Sequence, residues 1–431
     1  LFVLNGNTQE VEILTLEDCL RIGIDNNLSL EGKRKEIQKS KYGVSENRSK
    51  LLPQINAIAG YNNNFDPPVS VTDGSSYGVP YNITKTLQHS ANAGLEMQMP
   101  LFNQTLYTSM SIAKVMEEIS RLSYGKARED VILQISKMYY LGQVTAEQIM
   151  LIKANITRLE ELRDITQAFF DNGMSMEVDL KRVNINLENL KVQYDNAQAM
   201  MKQQLNMLKY IMDYPAEKEI ALTPVNTDSI TTVALTGLSE NIYELQLSQS
   251  QVQLAERQKK IIANGYIPSL SLTGSWRYAA YTDKGYHWFH SGPSNQWFRS
   301  YGVGLTLRIP IFDGLDKTYK IKKAMIDIEN KRLAWEDARK NLQTQYLNAV
   351  NDLMNNQRNF KKQKDNYLLA EDVYAVTSDR YREGIASMTE VLQDEMQMSE
   401  AQNNYISAHY NYRVTNLMLL KLTGQIESLV K

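Results

Sequence analysis

Glycine and proline, the residues that make many turns, are scarce in this sequence. They number 21 and 10 among 431 residues, well below the roughly 12% that they jointly contribute to an average protein. Residues 315–383 contain neither, and the same holds for 174–214 and 385–423. A chain of this length with so few turn residues is predicted to consist of long regular elements.

Cysteine, net charge and long apolar runs are also lacking. The single cysteine, Cys19, excludes a disulfide framework and a cysteine-based metal cluster. It shares a predicted helical face with Leu16 and Leu20, so we expect a small core residue there. Lys and Arg total 47 against 49 Asp and Glu, which argues against nucleic-acid binding because such proteins carry a basic excess. No stretch approaches 18 apolar residues, so no transmembrane helix is predicted.

Patterns for catalysis or metal binding are missing as well. Among the four histidines, only His287 and His290 are close in sequence, and no third ligand is evident beside them. The sequence has no nucleophile elbow, Gly-rich phosphate loop or metalloprotease motif. We therefore expect no enzyme activity, no metal and no cofactor.

The first residues, Leu1–Gly6, form an apolar run followed by polar or small residues. Such a run precedes the cleavage site of a secretory signal, and we interpret it as the trailing part of a signal peptide. N-terminal sequencing of the native protein tests this hypothesis, and a start at Leu1 would contradict it.

Apolar residues recur every seven positions in the stretches that lack Gly and Pro. This spacing predicts helices that pack as coiled coils. At about 1.5 Å per residue, the run 315–383 would form a helix of roughly 100 Å, far longer than the helices of most globular domains. The clearest repeat steps by three and four through Leu180, Val183, Leu187, Leu190, Tyr194, Ala197 and Met201.

Two blocks rich in Gly and Pro, 53–104 and 263–314, change to a period of two. Apolar and polar residues alternate there in four stretches of about ten residues or more, which predicts four strands. Ten residues is the length that a tilted strand needs to cross a bilayer. The four stretches begin near Ile55, Ala91, Pro268 and Trp297.

Aromatic residues cluster beside the last two of these strands. Trp276, Trp288 and Trp297 lie there together with several Tyr and Phe residues, which suits an aromatic girdle at a membrane interface. A soluble sheet with one buried face gives the same alternation. Composition alone leaves both interpretations open.

The sequence is also a duplication. Three pairs of segments match at offsets of 215, 210 and 211 residues, so the repeat length is about 210. Each copy is predicted to run helix, strand, loop, strand, long helix, Gly turn and helix, with Pro53, Pro100, Pro268 and Pro310 at the helix–strand junctions. The pairs are 26–55 with 241–270, 94–103 with 304–313, and 170–173 with 381–384.

Four strands limit the possible assemblies. They cannot close a barrel, and open strand edges in lipid cost several kcal/mol per unpaired group. A membrane sheet would therefore be shared by several chains. Two chains would give eight strands with a filled interior, whereas three would give twelve strands and room for a passage.

These features resemble the TolC family of outer membrane efflux proteins. The resemblance covers essentially the whole chain and rests on the duplicated plan, on Leu-Pro-Gln-Ile at 52–55 and Ile-Pro-Ser-Leu at 267–270, and above all on Tyr-Arg-Glu-Gly-Ile-Ala-Ser-Met-Thr-Glu-Val-Leu at 381–392. It implies a mixed α and transmembrane β fold: a homotrimer whose twelve-stranded β-barrel continues into a long coiled-coil α-helical barrel.

The resemblance also implies a division of the chain. Residues 53–100 and 266–312 would form the barrel strands and external loops, the loops being 66–88 and 283–296. Residues 16–52, 101–212, 241–265 and 313–423 would form the periplasmic helical barrel. Residues 1–15, 213–240 and 424–431 would form an equatorial region and the termini.

Family members close the duct with polar contacts at a periplasmic tip lined by acidic residues. By resemblance, Tyr381 matches a latch tyrosine, Asp179 matches its carboxylate partner, and Glu390 matches the first acidic aperture position. The sequence departs from the family at Ala386, where an arginine is expected. It departs again at Gln393, the second acidic position, which Asp394 follows. An ordinary solvated helix start, where carboxylates are favoured by the helix dipole, remains an alternative for Asp179 and Glu390.

The same resemblance implies two further surfaces. Gly173, Met174, Gly384 and Ile385 would contact a periplasmic adaptor, and both glycines are expected as helix C-caps. The polar strand positions would face the passage; examples are Glu96, Gln98, Arg277 and Arg308.

The expected function is a passive export duct in the outer membrane of a Gram-negative bacterium, with most of the chain in the periplasm. An adaptor would open it and an inner-membrane efflux or secretion transporter would supply the energy. Two alternatives stay open: a periplasmic coiled-coil scaffold or adaptor, and a duct dedicated to protein secretion.

Overall fold

The computed structural model describes residues 11–224, 237–283 and 297–430. Its regular elements, in chain order, are β1 (Glu12–Leu14), α1 (Leu16–Asn26), α2 (Leu28–Ser49), β2 (Gln54–Asn63), β3 (Val69–Asp73), β4 (Tyr81–Lys85), β5 (His89–Phe102), α3 (Gln104–Asp171), α4 (Glu177–Met212), β6 (Ile220–Leu222), α5 (Tyr243–Asn264), β7 (Ser269–Thr282), β8 (Trp297–Arg308), α6 (Asp316–Arg382) and α7 (Met388–Leu422).

The chain divides into two units. The helical unit comprises the described parts of Leu1–Ile37, Ser120–Gln249 and Leu333–Lys431. The strand unit comprises Gln38–Ile119 and the described part of Ser250–Arg332.

The long helices follow from the shortage of turn residues. Helices α3 and α6 have 68 and 67 residues, and the prediction of a helix through 315–383 is confirmed. Most of the heptad positions of α4 become buried: Val183, Leu187, Leu190 and Ala197 are all less than 9% exposed, and the other three are half-buried. Their apolar side chains leave water as a continuous stripe, and this burial is the main favourable term that holds the helices together.

The first helix is broken, which the sequence prediction of one helix over 16–52 missed. Asn27 ends α1, and its side-chain Oδ1 then accepts a hydrogen bond from the Leu30 amide at 3.1 Å. Its Nδ2 donates to the Ile211 carbonyl at 2.8 Å. An asparagine side chain that accepts from the backbone amide three residues on acts as a helix N-cap, so α2 starts afresh at Leu28.

The strand unit contains an antiparallel sheet in the order β2-β5-β7-β8. All four predicted strands are confirmed, and β2 and β8 are the outer strands of the sheet. Strand β5, from the first half of the chain, pairs directly with β7, from the second half. A separate hairpin of β3 and β4 pairs Val71 with Ile83 inside the segment 66–88, which had been expected only as a loop.

The prolines do not all lie at junctions as predicted. Pro53 and Pro268 directly precede β2 and β7, and Pro310 lies between β8 and α6. Pro100 lies inside β5, which continues to Phe102 through a shift of register. Proline has no amide hydrogen to donate, so it is tolerated in a strand at such an irregularity.

Two of the buried clusters organise the helical unit. Cys19 is 0% exposed in the first, as expected, and burial raises the pKa of its thiol to about 12. The second cluster joins α3, α4, α6 and α7 near the two glycine turns and includes Leu162, Leu187 and Val391.

None of the helices in the described ranges is both long and apolar enough to cross a membrane.

Candidate functional site

The first glycine turn, between α3 and α4, has a defined hydrogen-bond pattern. The Gly173 amide donates to the Phe170 carbonyl at 2.9 Å, and the Met174 amide donates to the Phe169 carbonyl at 2.8 Å. Gly173 has a φ of 73°, in the left-handed region where a side chain would be strained. This is a Schellman C-cap, which satisfies the last carbonyls of α3.

The second turn, between α6 and α7, repeats the pattern. The Gly384 amide donates to the Tyr381 carbonyl at 2.9 Å, and the Ile385 amide donates to the Arg380 carbonyl at 2.8 Å. Gly384 has a φ of 74°. The expected capping role of both glycines therefore follows from the same geometry in each copy. We call the two turns and the starts of α4 and α7, residues 169–182 and 380–390, the turn cluster.

Tyr381 lies in the core of the turn cluster and is only 6% exposed. Its ring packs 5.7 Å from that of Phe169, and its hydroxyl lies 3.3 Å from Thr166 Oγ1. Because Thr166 already donates to the Leu162 carbonyl at 2.7 Å, the tyrosine hydroxyl is the donor to Thr166. Within one chain, Thr166 is thus the hydrogen-bond partner of Tyr381, and a pair with Asp179 stays a prediction.

Asp179 is bound to an arginine of its own helix. Arg182 Nη1 lies 3.3 Å from Asp179 Oδ1, and the carboxylate side chain is only 15% exposed. The same Nη1 lies 3.3 Å from the Thr389 hydroxyl on α7. Arg182 therefore connects the start of α4 with the start of α7, which lies far along the chain.

Glu390 forms a capping box at the start of α7. Its carboxylate accepts hydrogen bonds from the Ser387 amide at 2.7 Å and the Ser387 hydroxyl at 3.0 Å. The Ser387 hydroxyl in turn accepts from the Glu390 amide at 3.3 Å. The amide and hydroxyl of Ser387 hold the pKa of the Glu390 carboxyl below its usual value. Glu390 is therefore a helix-start carboxylate by geometry, and its aperture role stays a prediction.

The other predicted tip residues differ in exposure. Gln393 is exposed and Asp394 is half-buried. Met174 and Ile385, which follow the two glycines, are 69% and 62% exposed. Apolar side chains this exposed at the tips of two equivalent turns are available for contact with another protein.

The two turns together line a groove of about 500 Å³. Asp179 and Tyr381, which the sequence placed in one latch, both line this groove. The other lining residues are Phe169, Gly173, Met174, Ser175, Met176, Arg182, Gly384, Ala386, Ser387, Met388 and Thr389.

The strand unit carries a second group of candidate residues, on one face of its sheet. Residues in register share a face, and successive residues alternate between faces. The pairing of Gln98 with Thr273, Glu96 with Ser275 and Ser269 with Arg308 therefore places them all on one side. We call this the polar face; Ile58, Ala279, Tyr281 and Phe298 share this side, and its polar or small members include Gln54, Asn56, Asn92, Gly94, Glu96, Gln98, Ser269, Thr273, Ser275, Arg277, Ser300, Gly302, Gly304, Thr306 and Arg308.

The opposite side of the sheet is apolar and exposed. Tyr301, Val303 and Leu305 are 79%, 81% and 67% exposed within the single chain. Such a continuous apolar surface on a folded chain marks contact with lipid or protein. Arg299, opposite Tyr278, shares this side, and the apolar members of this apolar face include Ile55, Ala57, Ala59, Leu95, Met97, Leu270, Leu272, Trp276, Tyr278, Tyr301, Val303, Leu305 and Leu307.

Candidate metal ligands lie apart from one another in the part of the chain that the structure describes. In the ranges 11–224, 237–283 and 297–430, no three His, Cys, Asp or Glu side chains converge as a ligand set. His287, His290 and Trp288, and with them the predicted loop 283–296 beyond Asp283, lie outside the described residues.

The family is decided by a comparison of the sequence with known protein families. The sequence model described as "Outer membrane efflux protein" matches residues 22–212 and again 238–425. These two stretches make up most of the chain. The chain belongs to the outer membrane efflux protein family. The chain is therefore an outer-membrane efflux duct.

The relatives of this outer membrane efflux protein are distant in sequence, but their alignments cover most of both chains. Outer membrane protein TolC of Vibrio cholerae is 21% identical over 399 residues, which are 89% of this chain and 84% of that protein. The probable efflux pump outer membrane protein TtgC of Pseudomonas putida is 23% identical over 379 residues, 83% of this chain and 75% of that protein.

Solved structures share the fold of this efflux protein at low identity. The outer membrane protein VceC of Vibrio cholerae superposes with a TM-score of 0.74 at 14% identity, over 95% of this chain and 96% of that one. The MtrE outer membrane channel of Neisseria gonorrhoeae, solved in its open state, gives a TM-score of 0.75 at 18% identity, over 95% and 88%.

Sequence reasoning missed two residues of the turn cluster and its core. Arg182 could have been found, because it lies three residues after Asp179 and so on the same face of α4. Thr166 gave no such signal, since it meets Tyr381 only when α3 and α6 pack together. Ala386, where an arginine was expected, packs against the buried cluster instead.

Proposed function

We propose that three copies of this chain form a passive export duct through the outer membrane. The observation that carries the proposal is the sheet of four strands with one polar and one apolar face, whose outer strands are β2 and β8. In lipid, each outer strand must find a partner. Pairing β2 of one copy with β8 of the next closes a barrel, and three copies supply the twelve strands that leave room for a passage.

The two faces give the barrel its orientation. The apolar face, with Trp276 and Tyr301, would contact lipid, and the polar face, with Glu96 and Arg277, would line the passage. Strands β5, β7 and β8 have 14, 14 and 12 residues, which exceeds the nine to eleven or so that a tilted strand needs to span the hydrocarbon. The hairpin β3–β4 would lie in an external loop.

The helical unit would lie in the periplasm and carry the gate. Thr166, Tyr381, Asp179, Arg182 and Thr389 hold helices of both sequence copies together, which supports a closed resting arrangement of the turn cluster. The acidic groups expected around the aperture, Glu390 and Asp394, lie on α7. Three copies of such carboxylates around one axis would attract cations and repel anions.

The turns would be the contact surface for an adaptor. Gly173 and Gly384 fix the two turns, and the exposed Met174 and Ile385 supply apolar contact area. An adaptor that binds here would open the gate, and an inner-membrane transporter would supply the energy. The naming of TtgC as part of an efflux pump supports such an assembly. Cargo would be selected mainly by that transporter, for small molecules and for proteins alike.

Single-channel recording tests the proposal. Purified protein added to a planar bilayer is expected to give small, flickering conductance, because the gate is closed at rest. Protein that requires no detergent and forms no channel would contradict the duct and would favour a periplasmic scaffold.

A further inference from the structure

Arg277 of β7 and Glu96 of β5 form an ion pair on the polar face. Arg277 lies opposite Gly94 in the register of the two strands, and Glu96 lies two residues further along β5. The arginine side chain therefore runs diagonally across the sheet to reach the carboxylate. The two side chains are 46% and 39% exposed, so the pair lies on the surface of the polar face.

Gly94 makes room for this crossing. A Cβ atom at position 94 would lie 2.3 Å from the Trp276 carbonyl oxygen, 2.8 Å from Arg277 Cα and 3.0 Å from Arg277 Cγ. These distances are too short for any side chain unless β5 and β7 move apart. The absence of a side chain at Gly94 thus lets the stem of Arg277 lie flat on the sheet.

The surroundings of the pair are short side chains. Gly302 and Gly304 of β8 lie opposite Ser275 and Thr273, and together with the pair they line a depression of about 470 Å³. The other residues that line the depression are uncharged, so the charges of Glu96 and Arg277 dominate the local potential.

We propose that Glu96 and Gly94 hold Arg277 against the wall of the duct. In this proposal the ion pair sets the relative access of cations and anions to the part of the duct that the strands form. At distances larger than the length of the pair the two opposite charges largely cancel, so the wall admits solutes of either sign. This inference rests on the proposed function, because it requires the polar face to line the passage. Neutralising Glu96 would expose the charge of Arg277 and favour anions, and neutralising Arg277 would favour cations.

A reporter cysteine can measure the potential beside the pair. Ser300 lies directly opposite Arg277 on the polar face, which makes Ser300→Cys a local probe. The native Cys19 is 0% exposed with a raised thiol pKa, so it stays unreactive in the background. The readout is the ratio of the reaction rates with a cationic and an anionic methanethiosulfonate reagent of similar size, applied to the full-length protein in lipid.

The charge variants are made in the Ser300→Cys background. With Arg277→Gln, the cation-to-anion rate ratio is expected to rise about tenfold, as for one unit charge several ångströms away in water. Glu96→Gln is expected to lower the ratio several-fold, and the double variant is expected to restore it. Arg277→Lys keeps the charge and is expected to change the ratio little.

Val303→Cys is the matched control for the duct itself, since Val303 lies on the apolar face of the same strand. One outcome is that Ser300→Cys reacts, Val303→Cys does not, and the rate ratio is unchanged by both charge variants. That outcome would overturn the inference but would not contradict the duct. Equal reactivity of the two reporters would overturn the assignment of the polar face, and the proposed function with it.

Discussion

Arg182 Nη1 lies 3.3 Å from the hydroxyl of Thr389, so one side chain joins the start of α4 to the start of α7. The two residues come from different halves of the chain. Arg182 also holds Asp179 at 3.3 Å, which keeps its guanidinium in place. The turn cluster has Ala386 where the family resemblance predicts an arginine. Arg182 supplies a polar contact between the two helix starts in its absence.

Removing this contact should favour the open gate. Arg182→Ala is expected to raise the ratio of open to closed dwell times about fivefold per chain, because a half-exposed contact of this kind contributes at most about 1 kcal/mol. Thr389→Val, which removes only the acceptor, is expected to act in the same direction. Single-channel recording in planar bilayers measures both.

Lys181→Ala is the control for that experiment. Lys181 pairs with Glu177 of its own helix at 2.6 Å and has a similar position and charge. We expect it to leave the dwell times unchanged. Equal effects of Lys181→Ala and Arg182→Ala would show that general charge near the gate, rather than the contact with Thr389, is responsible.

The partner of Tyr381 can be identified by a double-mutant cycle. Tyr381→Phe keeps the ring against Phe169 but removes the hydrogen bond to Thr166, which is expected to cost about 1 kcal/mol. The cycle with Thr166→Val should show a coupling of that size in thermal unfolding. A larger coupling with Asp179→Asn would instead establish a Tyr381–Asp179 latch in the assembled protein.

The heptad stripe of α4 should dominate the stability of the helical unit. Leu187 is 2% exposed, whereas Ile185 on the same helix is 61% exposed. Leu187→Ala is expected to lower the free energy of unfolding by about 2–5 kcal/mol, through lost burial and the cavity left behind. Ile185→Ala is expected to change it by less than about 1 kcal/mol. Similar losses for both would mean that Ile185 is covered in the assembly.

Glu129 should make stability fall as pH rises. It is 5% exposed, and burial raises the pKa of its carboxyl from 4.5 to about 7. Below pH 4.5 both the folded and the unfolded chain hold the proton. As the pH rises from 4.5 to 7, the unfolded chain loses it first, so the folded state loses up to roughly 3 kcal/mol in relative stability.

Glu129→Gln removes this dependence because the amide does not titrate. Its thermal midpoint is expected to exceed that of the natural protein at pH 8 and to match it at pH 4. A difference that is the same at both pH values would contradict the raised pKa of Glu129.

Local patterns predicted most of the fold. Three patterns were sufficient to place the main elements. The heptads of α4 and the alternation in the four strands indicate which residues leave water, and the runs without Gly or Pro indicate where the chain makes no turn. The break at Asn27 was missed, since it depends on a hydrogen bond to Ile211 far along the chain. Pro100 was misplaced because a strand can absorb a proline at a register shift, which sequence does not reveal.

The candidate site was less accessible to sequence reasoning. The two glycines and the carboxylates of the turns could be named from the repeat and the resemblance. The contacts of Arg182 with Thr389, and of Arg277 with Glu96, depend on which helices and strands become neighbours. The position of Arg277 opposite Gly94 follows from the register of β5 and β7, which the sequence does not reveal. The space that Gly94 leaves for the arginine side chain is visible only once the two strands are paired.

The number of chains in the detergent-extracted protein tests the account most directly, because four strands per chain require a shared barrel. Light scattering with correction for bound detergent measures the protein mass of the particle. The account predicts three times the chain mass of 49.4 kDa. A particle with the mass of one chain would contradict the shared barrel and the duct built on it.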